Sequence, residues 1–126
     1  MSDHHEKAVL SLIERMNAND DQALLEYFAP NGMYRVNAWH EPLVGTDAIA
    51  ADFERQHALW SDLRIEVMNI ASTANVVFTE RIDTVHMMDR DVSTHMAGVF
   101  EFDGNDKIVS WRDYFDMKEV DSQPGD

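Results

Sequence analysis

Trp111-Arg112-Asp113-Tyr114-Phe115-Asp116 has the composition of a β-strand and carries a carboxylate in the middle of it. Successive strand side chains point to opposite faces, so Val109, Trp111, Asp113 and Phe115 share one face and Ser110, Arg112, Tyr114 and Asp116 the other. Asp113 therefore falls on the apolar face. An ionised carboxylate there loses its hydration unless a charged partner and hydrogen bonds replace it. Phe78-Thr79-Glu80-Arg81-Ile82-Asp83 supplies such a partner: Arg81 and Asp83 fall on one face with Val77, Thr79 and Val85, and Phe78, Glu80, Ile82 and Thr84 on the other. Two carboxylates and one guanidinium are thus expected to meet in one apolar pocket.

Outward from these runs, the C-terminal half reads as strands over Leu63–Ala71, Val76–His86, Thr94–Phe102 and Ile108–Asp116, with hairpin turns at Asp89-Arg90-Asp91 and Asp103-Gly104-Asn105-Asp106. The last three strands form an antiparallel meander, so Asp113 reaches Asp83 only across an intervening strand or through strong curling of the sheet. On that intervening strand Gly98 leaves room for something to approach. Ahead of the strands, Val9, Leu12, Ile13 and Met16 mark the apolar face of a helix over His5–Asn17. Asn19-Asp20-Asp21 reads as a stop followed by a capping signal, and Ala23, Leu24, Tyr27 and Phe28 as a short second helix ended by Pro30-Asn31-Gly32. Met33–Asn37 reads as a short strand, His40–Gly45 as a loop, and Thr46 as the N-cap of a third helix with Ile49, Ala50, Phe53, His57 and Trp60 along one stripe. His57 is read as a core histidine. His4 and His5 are read as solvated terminus rather than metal ligands, and the tail over 118–126 is expected to fray.

This order of helices and strands predicts one α+β domain over residues 1–126, a curved antiparallel or mixed sheet wrapped around N-terminal helices with an internal pocket. With 44% hydrophobic residues the chain can bury a real core, and no apolar run approaches a membrane span. The net charge of −14, from 24 acidic and 10 basic residues, repels nucleic acid and anionic lipid, so neither is expected as a partner. There is no cysteine, which excludes disulfides and thiolate metal ligation, and Ser2-Asp3-His4-His5-Glu6-Lys7 leads into no signal-peptide core. The cytoplasm is the expected compartment.

An arginine between two carboxyl groups has two readings. It is a buried ion-pair network that fixes the sheet, or a divided acid and base in which one carboxyl is held ionised and the other keeps its proton. Tyr34 and Asn37 add a phenol and an amide. Trp39, Phe53, Trp60, Val85, Met96, Phe100 and Phe115 are candidate pocket lining, with core as the plain reading of Phe53 and Trp60.

The runs Phe78–Asp83, Gly98-Val99-Phe100, Lys107-Ile108 and Trp111–Asp116 are similar to the limonene epoxide hydrolase family, over about Val76 to Met117 and more loosely before it. That resemblance implies a nuclear transport factor-like fold, no metal or cofactor, and a homodimer. It implies Asp83 as the acid that protonates an epoxide oxygen, Asp113 as the base that activates water, and Arg81 as the bridge between them. The family holds that water with a tyrosine and an asparagine one residue apart, here most similar to Tyr34 and Asn37. Two residues separate these, so a regular strand would put them on opposite faces and only a bulge would restore a common one.

The expectation is therefore a cofactor-independent epoxide hydrolase that adds water in one step to an apolar terpene-, cyclic- or lipid-like epoxide. The alternatives are a steroid-isomerase-like or polyketide-cyclase-like enzyme on the same fold, or a non-catalytic small-molecule-binding module. Phe78, Ile82 and Val99 point away from the pocket, and this uncovered apolar face is the expected dimer surface.

Overall fold

Val9 and Leu12, fully buried, and Ile13 turn one side of α1 (Asp3–Asn17) onto the sheet, as the helical spacing predicts. The computed structural model describes residues 3–121. After α1, Asp20 accepts a hydrogen bond from the Ala23 amide and opens α2 (Asp21–Leu25). This helix is shorter than its sequence predicts. Phe28 begins β1 (Phe28–Arg35), and the turn-like Pro30-Asn31-Gly32 lies inside that strand, at a register shift between Phe28 and Met33. A Cβ on Gly32 would lie 2.8 Å from the Ile108 carbonyl oxygen, so the irregular segment presses backbone against backbone and needs glycine.

The segment read as loop contains a two-residue strand, β2 (Leu43–Val44), and α3 (Thr46–Leu59) follows. Its N-cap is Gly45, one residue earlier than predicted: Gly45 turns the chain at φ 93°, and its carbonyl accepts the first helical bond, from Ile49. Four long strands complete the sheet: β3 (Ser61–Thr73), β4 (Val76–Met87), β5 (Arg90–Phe102) and β6 (Ile108–Tyr114). The β4–β5 turn is Met88-Asp89 rather than Asp89–Asp91, with φ of 52° and 60° at the two residues, as a tight two-residue hairpin demands.

The sheet is curved and unclosed, in the order β2-β1-β6-β5-β4-β3. Neighbours pair antiparallel except β1 with β6, which is parallel, so the sheet is mixed. A shift in the β5–β6 register puts Ile108, not Val109, opposite Phe102 and into the core. Inner-face Phe100, Phe102 and Trp111 pack with Val9, Leu12 and Ile49 from the helices. The outer face carries Phe78, 43% exposed, with Ile82 and Val99 partly covered.

Residues 118–121, expected to fray, belong to a short helix, α4 (Met117–Asp121), which Glu119 ties to β5 by accepting hydrogen bonds from the His95 backbone and ring. Residues 122–126 of the expected tail lie outside the described residues. No helix among those described is long and apolar enough to cross a membrane.

Candidate active site

Strand parity places Arg81 and Asp83 on the inner face of β4 and Asp113 on the inner face of β6, with β5 between them. Arg81 spans the gap over Gly98, which pairs with Thr79 on one side and Asp113 on the other. A Cβ at Gly98 would lie 2.6 Å from Arg81 Nη1 and 2.9 Å from Asp113 Oδ1, so what approaches the sheet at this glycine is the guanidinium itself.

All five N–H groups of Arg81 are used. Nε donates to Asp83 Oδ1 at 3.1 Å, and Nη2 to Asp83 Oδ2 and Met96 Sδ at 3.0 Å each. Nη1 donates to Asp113 Oδ1 at 3.2 Å and Thr79 Oγ1 at 3.4 Å. Trp111 Nε1 also donates to Asp113 Oδ1, at 2.8 Å. Asp113 Oδ2 has no hydrogen bond among the described residues. Arg81 is 1% exposed and Asp113 4%. Burial is the largest influence on Asp113 and pushes its carboxyl above the usual carboxylate range, against the Arg81 charge beside it. The two carboxylates hold Arg81 firmly in its charged form.

Both carboxyls open onto a cavity of about 400 Å³ whose lining is mostly apolar. Of the predicted lining, Trp39, Trp60, Val85, Met96 and Phe115 face it; Trp39 stands at the surface, 63% exposed. Phe53 and Phe100 do not. Phe53 packs beside Tyr34 and lines a smaller void, and Phe100, fully buried, stacks on Trp111 with ring centres 5.0 Å apart. A period-2 or helical stripe names the face but not the depth, and these two rings sit below the cavity floor.

Tyr34, on β1 beside Trp111, is buried and lines the cavity. Burial, then the Asp113 charge, drives its ionisation far up, so it stays a phenol. Asn37 is placed differently. β1 ends at Arg35, so Asn37 lies in a bend and strand parity no longer governs it; no bulge separates it from Tyr34. Its side chain is buried, donating to the Phe115 carbonyl at 3.2 Å and accepting from the Ala38 amide at 2.7 Å, and it is not among the cavity-lining residues.

Sequence reasoning passed over one side of the site, the face of α3 bearing Asp52, Arg55 and Gln56. Asp52 is buried, accepts from Arg55 Nε and Nη2 at 3.0 and 2.8 Å, and accepts from Gln56 Nε2 at 2.7 Å. The available signal was the four-residue spacing of Asp52 and Gln56, which also describes an ordinary solvated helix face. His57 is not a core histidine but a surface residue paired with Asp21 at 2.8 Å.

His5, read as solvated, is buried against Phe102, and both His4 and His5 reach Asp106 Oδ1, at 3.2 and 2.8 Å. These are ordinary imidazole–carboxylate hydrogen bonds. His5 Nδ1 is buried without a partner, so the ring lacks the acceptor that a metal-bound imidazole uses on its other nitrogen.

A curved six-stranded sheet over helices, with two carboxyl groups at the wall of an apolar cavity, defines an α+β pocket protein of the nuclear transport factor-like class. The chain belongs to the limonene epoxide hydrolase family: residues 4–124 match the limonene-1,2-epoxide hydrolase catalytic domain. Similar solved structures include an LEH-like epoxide hydrolase of M. tuberculosis, 23% identical over 94% of this chain and 86% of that one, with a TM-score of 0.81. A SnoaL-like protein of the polyketide cyclase type from Shewanella denitrificans is 16% identical over 96% of each chain, with a TM-score of 0.87. The epoxide hydrolase/cyclase-like enzyme SalBIII, of pyran ring formation in salinomycin, is 18% identical over 94% of this chain and 97% of that one, with a TM-score of 0.84. At these identities the structures share the fold.

Proposed function

We propose that the protein is an epoxide hydrolase acting on an apolar epoxide. The observation that carries this is the pair of carboxyls, Asp83 and Asp113, joined by one buried arginine and both lining one apolar cavity. A water on Asp113 Oδ2 gives its proton to that carboxylate as its oxygen bonds to a ring carbon. The ring C–O bond breaks, and Asp83 delivers its proton to the leaving oxygen. The product is a vicinal diol. The pair begins and ends with one proton, which returns from Asp113 to Asp83 between turnovers. Burial that raises Asp113 makes it the stronger base once ionised. The step asks nothing of a metal or cofactor.

Purified protein incubated with terpene, styrene, cyclohexene and steroid epoxides should form diol from at least one. No diol from any of them would refute the reading.

Asn37 supports a second reading. Its amide is committed to backbone partners, so Tyr34 and Asp113 are left to hold a water. The same acid and base would equally serve a hydroxyl of the substrate itself, closing a ring on the epoxide as a cyclase does. An epoxy-alcohol substrate separates the two: the hydrolase yields a triol, the cyclase a cyclic ether.

We further propose that two copies pair through the outer sheet face around Phe78, Ile82 and Val99, because an apolar strip of this kind is normally covered. Light scattering giving a monomer mass would refute it.

A further inference from the structure

Arg81 gives every N–H to the protein, and Arg55 does not. Arg55, on α3, is the one arginine or lysine that lines the cavity among the described residues. Its Nε and Nη2 both donate to Asp52 Oδ1, at 3.0 and 2.8 Å, which fixes one edge of the guanidinium. Nη1 has no hydrogen-bond partner among the described residues. The edge formed by Nη1 and the second hydrogen of Nη2 is therefore free, and two parallel N–H groups on one edge match the two oxygens of a carboxylate.

Asp52, the anchor, is buried and also accepts from Gln56 Nε2 at 2.7 Å, so the free edge is held in one orientation. The surrounding rim is apolar: Trp39 and Leu59, 63% and 58% exposed, line the same cavity. Arg55 itself is 56% exposed, within reach of both guest and water. Asp52 offsets much of its charge, and the chain carries a net charge of −14, so no general attraction draws anions here. What Arg55 offers is direction.

We propose that Arg55 is a substrate-binding residue that grips a carboxylate, so that the substrate is an epoxy acid. Its apolar chain fills the cavity, its epoxide lies at Asp83 and Asp113, and its acid end stays at the rim on the free edge of Arg55. Water still solvates the carboxylate there, which keeps the cost of dehydration small. A chain entering acid first would meet Asp83 and Asp113, whose charge repels it. The groups that do the chemistry thereby also set the direction of entry.

This inference rests on the hydrolase reading, whose substrate class it narrows, and two measurements keep the two apart. The first needs no turnover. Calorimetry should show the wild type holding decanoate more tightly than decanol. Arg55→Lys keeps a cation beside Asp52, and with it the fold, but lacks the planar edge. It should cut the preference for decanoate over decanol by about tenfold, the contribution of a charge-assisted hydrogen bond. A wild type without the preference, or an Arg55→Lys variant that retains it in full, would overturn the proposal.

The second measurement compares ω-epoxydecanoic acid with its methyl ester as substrates. The acid should have a KM about tenfold lower at similar kcat, because a grip remote from the reacting atoms holds ground state and transition state alike. Arg55→Lys should remove that difference. Diol formed from acid and ester at equal KM leaves the hydrolase standing and overturns the role of Arg55. Preference for decanoate through Arg55 in a protein that forms no diol keeps that role and refutes the hydrolase.

Discussion

Two arginine–carboxylate clusters share strand β4. Beside the turn between β4 and β5, Arg64 Nη2 and His86 Nδ1 each lie 3.1 Å from an oxygen of Asp91, and all three side chains are at the surface. On the inner face, Arg81 joins Asp83 and Asp113 at similar distances, 3.0 and 3.2 Å. The carboxyls respond in opposite directions. Hydrogen bonds from His86 and Arg64 hold Asp91 below the usual range, because water still solvates its charge. Asp113 has an arginine and an indole on it and still rises, because burial outweighs both. Burial, not the identity of the partners, sets the two carboxyls apart.

The largest contrast should come from amide substitutions. Asp113→Asn should lower diol formation by about 10²–10⁴-fold, the usual contribution of a general base, with the circular dichroism spectrum unchanged. Asp91→Asn should leave the rate alone. Collapse of the Asp113→Asn spectrum would make the inner cluster structural after all.

Stability should separate the two arginines next. Arg81→Ala strands two carboxyls inside the sheet and should cost about 3–5 kcal/mol, read as a large fall in melting temperature. Arg64→Ala should barely move it, since exposed pairs contribute little. Equal melting temperatures for the two variants would erase the distinction.

The smallest effect is a dependence on pH. The folded-state pKa of Asp113 is raised, so its contribution to stability is full below the unfolded-state pKa and is lost as pH rises through the folded value. The melting temperature of Asp113→Asn relative to wild type should therefore improve as pH climbs through the acidic range. Asp91 is lowered, so its contribution is present above the unfolded-state pKa and fades as pH falls through the folded one. Salt should weaken the Asp91 contribution and spare that of Asp113, because only the exposed pair is screened. The kcat profile of the wild type should likewise fall on its acid side above the ordinary carboxylate range. Identical pH and salt responses in Asp91→Asn and Asp113→Asn would contradict the comparison.

Arg81, Asp83 and Asp113 were legible as neighbours in the sequence because β4 and β6 alternate regularly through them, and parity alone put the charges on the apolar face. Where regularity fails, so did the reading. Pro30-Asn31-Gly32 has the composition of a turn yet sits in a strand, since the shift that carries it depends on a partner far along the chain. Val109 lost its place to Ile108 for the same reason. The parallel pairing of β1 with β6 leaves no local mark at all. Asn37 was placed by a strand rule two residues beyond where the strand ends, at Arg35. Asp52 and Gln56 escaped notice because a buried carboxylate and an exposed one look alike on a helix until something covers them.

Gly98 sets a length. Because β5 offers no side chain at that point, the guanidinium crosses it directly, and Asp83 and Asp113 stand two strands apart with nothing flexible deciding the interval. Strand spacing is a property of the peptide backbone, so the two anchoring strands are separated by roughly 9–10 Å whatever the loops around them do. The mouth of the cavity, where Trp39, Met117 and Val120 sit on segments outside the long strands, can be recut for a different guest without altering that interval. The spacing of the carboxyls and the shape of the cavity mouth are thus carried by parts of the chain that can change independently.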